Sequence, residues 1–169
     1  MRTYLTRAIG VAASFVLLVF FTRFFILEPG RVDGQSMEPD LRHNDIFITN
    51  KITPLIFPFK RLERVQFLNP VDRRHLVIKR VIGLPGETVL IRRNAVSIRQ
   101  KDGTETPLTE PYLYPNISID VRYGRPREFR VPPDSYFMLG DNRPVSTDSR
   151  EFGSVHRRNI IGTVIAWEL

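Results

Sequence analysis

From Ala8 to Leu27 the chain is apolar almost without a break. A helix needs about 20 such residues to cross the hydrocarbon core of a bilayer. A helix buried in a soluble domain would keep a polar stripe, whereas here apolar residues occupy every face, among them Val11, Phe15, Val16, Leu17, Leu18, Val19, Phe20 and Phe21. Arg23 interrupts the run near its end, where a long side chain can reach the head groups. The rival reading is a cleaved secretory signal, which needs small residues just past the apolar run. The end of the run is Thr22-Arg23-Phe24-Phe25-Ile26-Leu27-Glu28, which offers none. The sequence therefore predicts an uncleaved signal anchor over residues 1–28 and a folded domain over 29–169. Arg2 and Arg7 place the N-terminus in the cytoplasm by the positive-inside rule, and the domain on the outer face.

Beyond Glu28 the pattern changes to short alternating runs separated by turn residues. Strands are expected at Asp45–Thr49, Val65–Leu68, Leu76–Ile82, Thr88–Ile91, Ala95–Ile98, Ser135–Leu139 and Ile160–Trp167. No stretch after residue 30 keeps helical periodicity for ten residues, so the domain reads as mainly β, a barrel or folded sheet. The net charge of +7 suits either nucleic acid or anionic lipid. The arginines form no dense run, and no basic or aromatic recognition element stands out, so nucleic acid is not an expected partner. There is no cysteine, which excludes a disulfide framework, a thiolate nucleophile and a Cys-based zinc site.

Pro54-Leu55-Ile56-Phe57-Pro58-Phe59 is an apolar hexapeptide followed by Lys60, Arg61 and Arg64. It is either a loop packed on the core or one dipping into the bilayer interface with its basic flank on the phosphates. Residues 99–130 read as a hairpin and a long loop, with no catalytic signature.

Gly34-Gln35-Ser36-Met37-Glu38-Pro39 sets a serine in a tight turn. A turn can be no more than a turn, but it also exposes a hydroxyl and leaves backbone N–H groups free for an oxyanion. A serine nucleophile needs a base within hydrogen-bond reach. His43, His75 and His156 each sit in polar, charged surroundings, read as solvated surface, and show no metal-ligand spacing. Lys79 lies inside Leu76-Val77-Ile78-Lys79-Arg80-Val81-Ile82. Alternation puts it with Val77 and Val81, and Arg80 with Ile78 and Ile82. Either it snorkels from an edge strand, or burial lowers its pKa from about 10.4 to roughly 8 and makes it a base. Gly140-Asp141-Asn142-Arg143-Pro144-Val145-Ser146-Thr147-Asp148-Ser149-Arg150 comes directly after an apolar strand. It reads as a polar surface loop or as a buttress in which Asp148 pairs with Arg150, Asp141 pairs with Arg143, and Ser146 orients a lysine amine.

Val32-Asp33-Gly34-Gln35-Ser36-Met37-Glu38-Pro39, Lys79-Arg80-Val81-Ile82-Gly83-Leu84-Pro85-Gly86-Glu87 and the 140–153 segment, in that order, closely resemble bacterial type I signal peptidase. That family consists of membrane-anchored Ser/Lys proteases. The resemblance implies a largely antiparallel β domain lying on the bacterial cytoplasmic membrane. It implies a serine endopeptidase that removes signal peptides from exported preproteins after small residues, with no metal or organic cofactor. By the same resemblance Ser36 is the nucleophile and Lys79 the general base, Ser146 holds Lys79, and Asp141, Asp148 and Arg150 support the site. Val32 and Ile78 line the pocket for the small residue, with Gly34 nearby. The oxyanion hole uses the Ser36 N–H; where some members add a serine hydroxyl, this chain has Gly34. It also departs at Pro144, where the family usually has Asp, and at Glu63-Arg64, where it usually has Gly-Asp. Two other readings remain to be weighed. One is a catalytically silent anchored β domain that binds extended peptides. The other is a Ser/Lys self-cleaving regulator, which would carry a DNA-binding domain where this chain has the apolar run.

Overall fold

A computed structural model describes residues 2–92, 95–119 and 127–166. Helix α1 (Arg2–Phe25) leads directly into a seven-stranded antiparallel sheet and a smaller four-stranded one. The large sheet holds β1 (Leu27–Arg31), β2 (Ile46–Asn50), β3 (Arg64–Leu68), β4 (Leu76–Gly83), β9 (Ser135–Leu139), β10 (Val155–His156) and β11 (Ile160–Ala166). Their spatial order is β1-β2-β11-β3-β4-β9-β10. The small sheet holds β5 (Thr88–Arg92), β6 (Ala95–Arg99), β7 (Glu105–Pro107) and β8 (Arg127–Arg130), in the order β7-β6-β5-β8. Two short helices, α2 (Thr53–Ile56) and α3 (Ser149–Phe152), complete the set.

All seven expected strands form, with ends displaced by at most one residue. The strand expected to reach Trp167 runs to Ala166, and Trp167, like Gly124 and Pro126 of the long loop, lies outside the described residues. Four further strands form, of which β7 pairs with β6 as the hairpin expected in residues 99–130. β1 contains Pro29 and Gly30, which a central strand tolerates poorly but an edge strand accepts. Leu27 and Glu28, read as the end of the anchor, pair with Asn50 and Thr49 and so belong to the sheet. β7, β8 and β10 are two to four residues long, too short for a visible period.

The side chains described on α1 are exposed, including seven consecutive apolar ones from Phe15 to Phe21. No helix among the described residues is long and apolar enough to cross a membrane.

Three apolar clusters build the core. Ile82, Val89, Ile91, Val96, Ile98, Val131, Phe137 and Leu139 join the two sheets. Phe59, Val65, Phe67, Val81, Tyr136 and Met138 cover one face of the large sheet. Val32, Met37, Leu41, Phe47 and Val164 hold the serine turn against β2 and β11. Pro54–Phe59 is held to the core at two positions and exposed between them. Pro54 and Phe59 are buried, while Leu55, Ile56 and Phe57 are exposed on and just after α2. The basic flank expected beside it is partly neutralised instead: Arg61 pairs with Glu87 and Arg64 with Asp40. Arg157 also reaches this segment, donating to the carbonyls of Pro54 and Phe57.

Candidate active site

The serine turn is anchored by its flanking residues. Met37 and Leu41 are buried, and the Leu41 N–H donates to the Met37 carbonyl at 2.9 Å. Gly34 has φ +103°, a region open to glycine at little cost. Its N–H donates to His43 Nδ1 at 3.2 Å. Between these anchors Ser36 projects toward β4.

Lys79 comes from the middle of β4, where it registers with Val65 of β3. Its Nζ donates to Ser36 Oγ at 2.5 Å, joining two residues 43 positions apart. The lysine is only 4% exposed. Burial pushes its amine down to about 8, against the pull of the Asp148 and Asp141 carboxylates, while the Arg150 charge adds to the lowering. Arg80 is buried as well, so β4 hides both of its cations, where one-sided burial would hide one. Between β3 and β9 the strand has no free edge from which Lys79 could snorkel.

Arg80 is the hub of a second, paired cluster. Nε and Nη2 donate to the two oxygens of Asp141 at 2.9 and 2.5 Å, and Nη2 also meets Asp40 at 2.5 Å. Nη1 donates to the Leu62 carbonyl at 2.9 Å, and the guanidinium stacks 3.9 Å from the Tyr112 ring centre. Asp141 therefore pairs with Arg80 and not with Arg143 as the sequence suggested. Arg143 pairs with Glu110. Two residues apart on one tight loop, Asp141 and Arg143 take opposite partners.

Asp148 and Arg150 do pair. Arg150 Nε donates to Oδ1 and Nη2 to Oδ2, each at 2.8 Å. Asp148 Oδ2 also accepts the Gly140 N–H at 3.0 Å. Arg150 ties the loop to itself through the carbonyls of Arg143 and Ser146. Ser146 differs from expectation. Its hydroxyl is buried beside Gly140 and has no hydrogen-bond partner among the described residues, so it does not hold Lys79, whose amine is turned to Ser36. The 140–146 loop meets the serine through backbone: the Asn142 N–H donates to the Ser36 carbonyl at 3.1 Å. Among the described residues the Ser36 N–H has no acceptor.

Gly140 is where this packing is tightest. A Cβ there would lie 2.2 Å from Ser146 Oγ and 2.5 Å from the Ser36 carbonyl oxygen. Gly140→Ala must push the serine turn away, with an expected loss of about 10²-fold in kcat for a displacement near 1 Å and about 1–3 kcal/mol of stability. Steady-state cleavage and thermal unfolding of the variant check both.

A cavity of about 130 Å³ opens on one side of Ser36, walled by Val32, Met37, Phe47, Val77 and Ile78 among others. Val32, Gly34 and Ile78, proposed from sequence, all line it. The histidines are elsewhere engaged. His75 bonds Asp72 at 2.8 Å on the surface, and His156 accepts from the Arg158 N–H. His43 takes the Gly34 N–H and lines an open depression on the flank of Ser36. The residues that sequence reasoning missed are Asp40, Glu110 and Tyr112. Their site partners, Arg80 and Arg143, lie 31–40 positions away, and no local pattern marks such pairs.

Known proteins resemble this chain over most of its length. The family model described as signal peptidase, peptidase S26, matches residues 5–167. Signal peptidase I T of Bacillus subtilis is 36% identical over 173 residues, covering 96% of this chain and 83% of that protein. Signal peptidase I P of Bacillus subtilis subsp. natto is 34% identical over 148 residues, covering 87% of this chain and 80% of that protein. The crystal structure of a signal peptidase I from Enterococcus faecalis superposes with a TM-score of 0.53 at 35% identity, covering 64% of this chain and 97% of that one. The chain belongs to the signal peptidase family, peptidase S26, and is an enzyme of the signal peptidase I type.

Proposed function

We propose that this enzyme removes N-terminal signal peptides from exported preproteins, cutting after small residues, with Ser36 as nucleophile and Lys79 as general base. The observation that carries the reading is the 2.5 Å contact between Lys79 Nζ and Ser36 Oγ, made by a buried amine whose pKa is lowered to about 8. A neutral amine at that distance accepts the hydroxyl proton as Oγ attacks the scissile carbonyl. The oxyanion faces the Ser36 N–H. The carbon–nitrogen bond then breaks, and the leaving amine takes the proton from the Lys79 ammonium. Water, deprotonated by the same amine, hydrolyses the acyl ester and frees Ser36. Asp141, Asp148 and Arg150 hold the loop and lysine environment in place. The cavity beside Ser36, lined by Val32, Gly34 and Ile78, takes the small side chain preceding the cut.

In this reading α1 is a single-pass anchor in the bacterial cytoplasmic membrane, with the domain on the outer side. Its support is the apolar run from Ala8 to Leu27 and the exposure of apolar side chains around α1. Membrane lipid is then a partner, and Leu55, Ile56 and Phe57 add exposed apolar surface. A silent peptide-binding domain has less support, since binding alone gives no reason to bury a lysine against a serine.

The test is preprotein cleavage by the detergent-solubilised protein across pH. Lys79 must be neutral, so kcat is expected to rise about tenfold per pH unit below a limb near pH 8 and to level off above it. A flat profile between pH 6 and pH 9, or no cutting of several preproteins, would overturn the assignment.

A further inference from the structure

The segment between β7 and β8 carries no catalytic motif, yet it grips the loop that touches Ser36. Glu110 reaches Arg143 with both carboxylate oxygens, meeting Nη1 at 3.2 Å and Nη2 more closely. The two side chains are 6% and 0% exposed. A guanidinium so buried needs a carboxylate partner, and among the described residues Glu110 supplies it. Tyr112 completes the contact. Its hydroxyl donates to Glu110 Oε1 at 2.5 Å, and its ring lies under the guanidinium of Arg80, the neighbour of Lys79. Ile119, further along the same segment, offers its carbonyl to Arg150 Nη1 at 2.7 Å.

From Arg143 the chain of contacts leads to the serine in two steps. Arg143 Nε donates to the Gly140 carbonyl at 3.0 Å, and the next N–H but one, that of Asn142, donates to the Ser36 carbonyl. The contact has no slack, because Gly140 lacks room even for a methyl group. On the same loop, Asp141 holds Arg80. We propose that Glu110 and Tyr112 are positioning residues: through Arg143 and Arg80 they clamp the 140–146 loop and β4 so that Ser36 and Lys79 keep their contact. The proposal rests on the roles given above to Ser36 and Lys79.

The test compares Glu110→Gln, Glu110→Asp and Tyr112→Phe in the full chain, detergent-solubilised, with preprotein as substrate and thermal unfolding to count folded enzyme. Glu110→Gln is expected to lower kcat per folded molecule about 30-fold, with KM within about twofold. Glu110→Asp, which keeps the charge, should recover most of it. Tyr112→Phe keeps the ring and both charges, and should lower kcat about threefold. A merely structural role would lower the folded fraction and leave these ratios alone. The pH limb gives a second readout. A loosened loop admits water to Lys79, restores solvation of its ammonium and moves the limb to higher pH in Glu110→Gln, with Asp141, Asp148 and Arg150 still facing the amine. Unchanged kcat and limb in all three variants would overturn the clamp. Should Glu110→Gln not fold, Tyr112→Phe decides, and full kcat there overturns the proposal. Retained cleavage by Ser36→Ala would instead overturn the nucleophile assignment, whatever the Glu110 series gives.

Discussion

Ser36→Ala is expected to reduce preprotein turnover by about 10⁴-fold or more while the protein remains folded. The size comes from the loss of the attacking atom. Without Oγ no acyl-enzyme forms, and the residual rate is what an oxyanion site and bound substrate provide to water. The folded state loses one hydrogen bond, that to Lys79, for about 1–2 kcal/mol. The turn keeps Met37, Leu41 and the Asn142 contact, none of which involves the hydroxyl. Cleavage of a purified preprotein, read beside a thermal melt, separates the two effects. Full activity in a folded variant would remove Ser36 from the mechanism.

Lys79→Met should be as inactive as Ser36→Ala and, at pH 7, more stable than the parent. A buried amine lowered from 10.5 to about 8 is protonated more readily in the unfolded chain than in the folded one. Below pH 8 both states carry the proton, and the folded state bears the full cost of a desolvated charge. That cost is about 3 kcal/mol, taking 1.36 kcal/mol per pH unit. Between pH 8 and pH 10.5 only the unfolded chain holds the proton, so parent stability rises with pH. Above pH 10.5 the handicap is gone. Methionine has a similar length and no charge, so the variant should melt several degrees higher at pH 7 and lose that advantage as the pH approaches 10.5. Equal melting temperatures across the range would mean that Lys79 carries no such strain. Retained cleavage would bring another base into play, with His43 the nearest histidine by its shared depression.

The strands and the serine turn were legible because their signals are local. Alternation in Ile46–Asn50 or Ala95–Arg99 is read within five residues, and Gly34 at φ +103° is marked by its own identity. The burial of Lys79 was legible only as one of two options. What decides it is the placing of β4 between β3 and β9, a tertiary fact. Charge pairing was legible where the partners are neighbours, as with Asp148 and Arg150. It failed where a closer candidate lost to a distant one, as when Asp141 chose Arg80, 61 positions away, over Arg143. Glu110 and Tyr112 were invisible for the same reason: Glu110 looks like any acidic loop residue until the fold sets Arg143 beside it.

The place of β11 also has a consequence for how the sheet holds together. The serine comes after β1 at one side of the large sheet and the lysine lies on β4, and the strand ladder that joins those sides runs through β11 alone. Among the described residues β11 is the last strand in chain order. Without residues 160–166 the sheet would fall into β1-β2 on one side and β3-β4-β9-β10 on the other, with no ladder between them. The ladder between the serine side and the lysine side is therefore complete only with β11 in place, while the Asp40–Arg80 and Asn142–Ser36 contacts bridge the two sides without it.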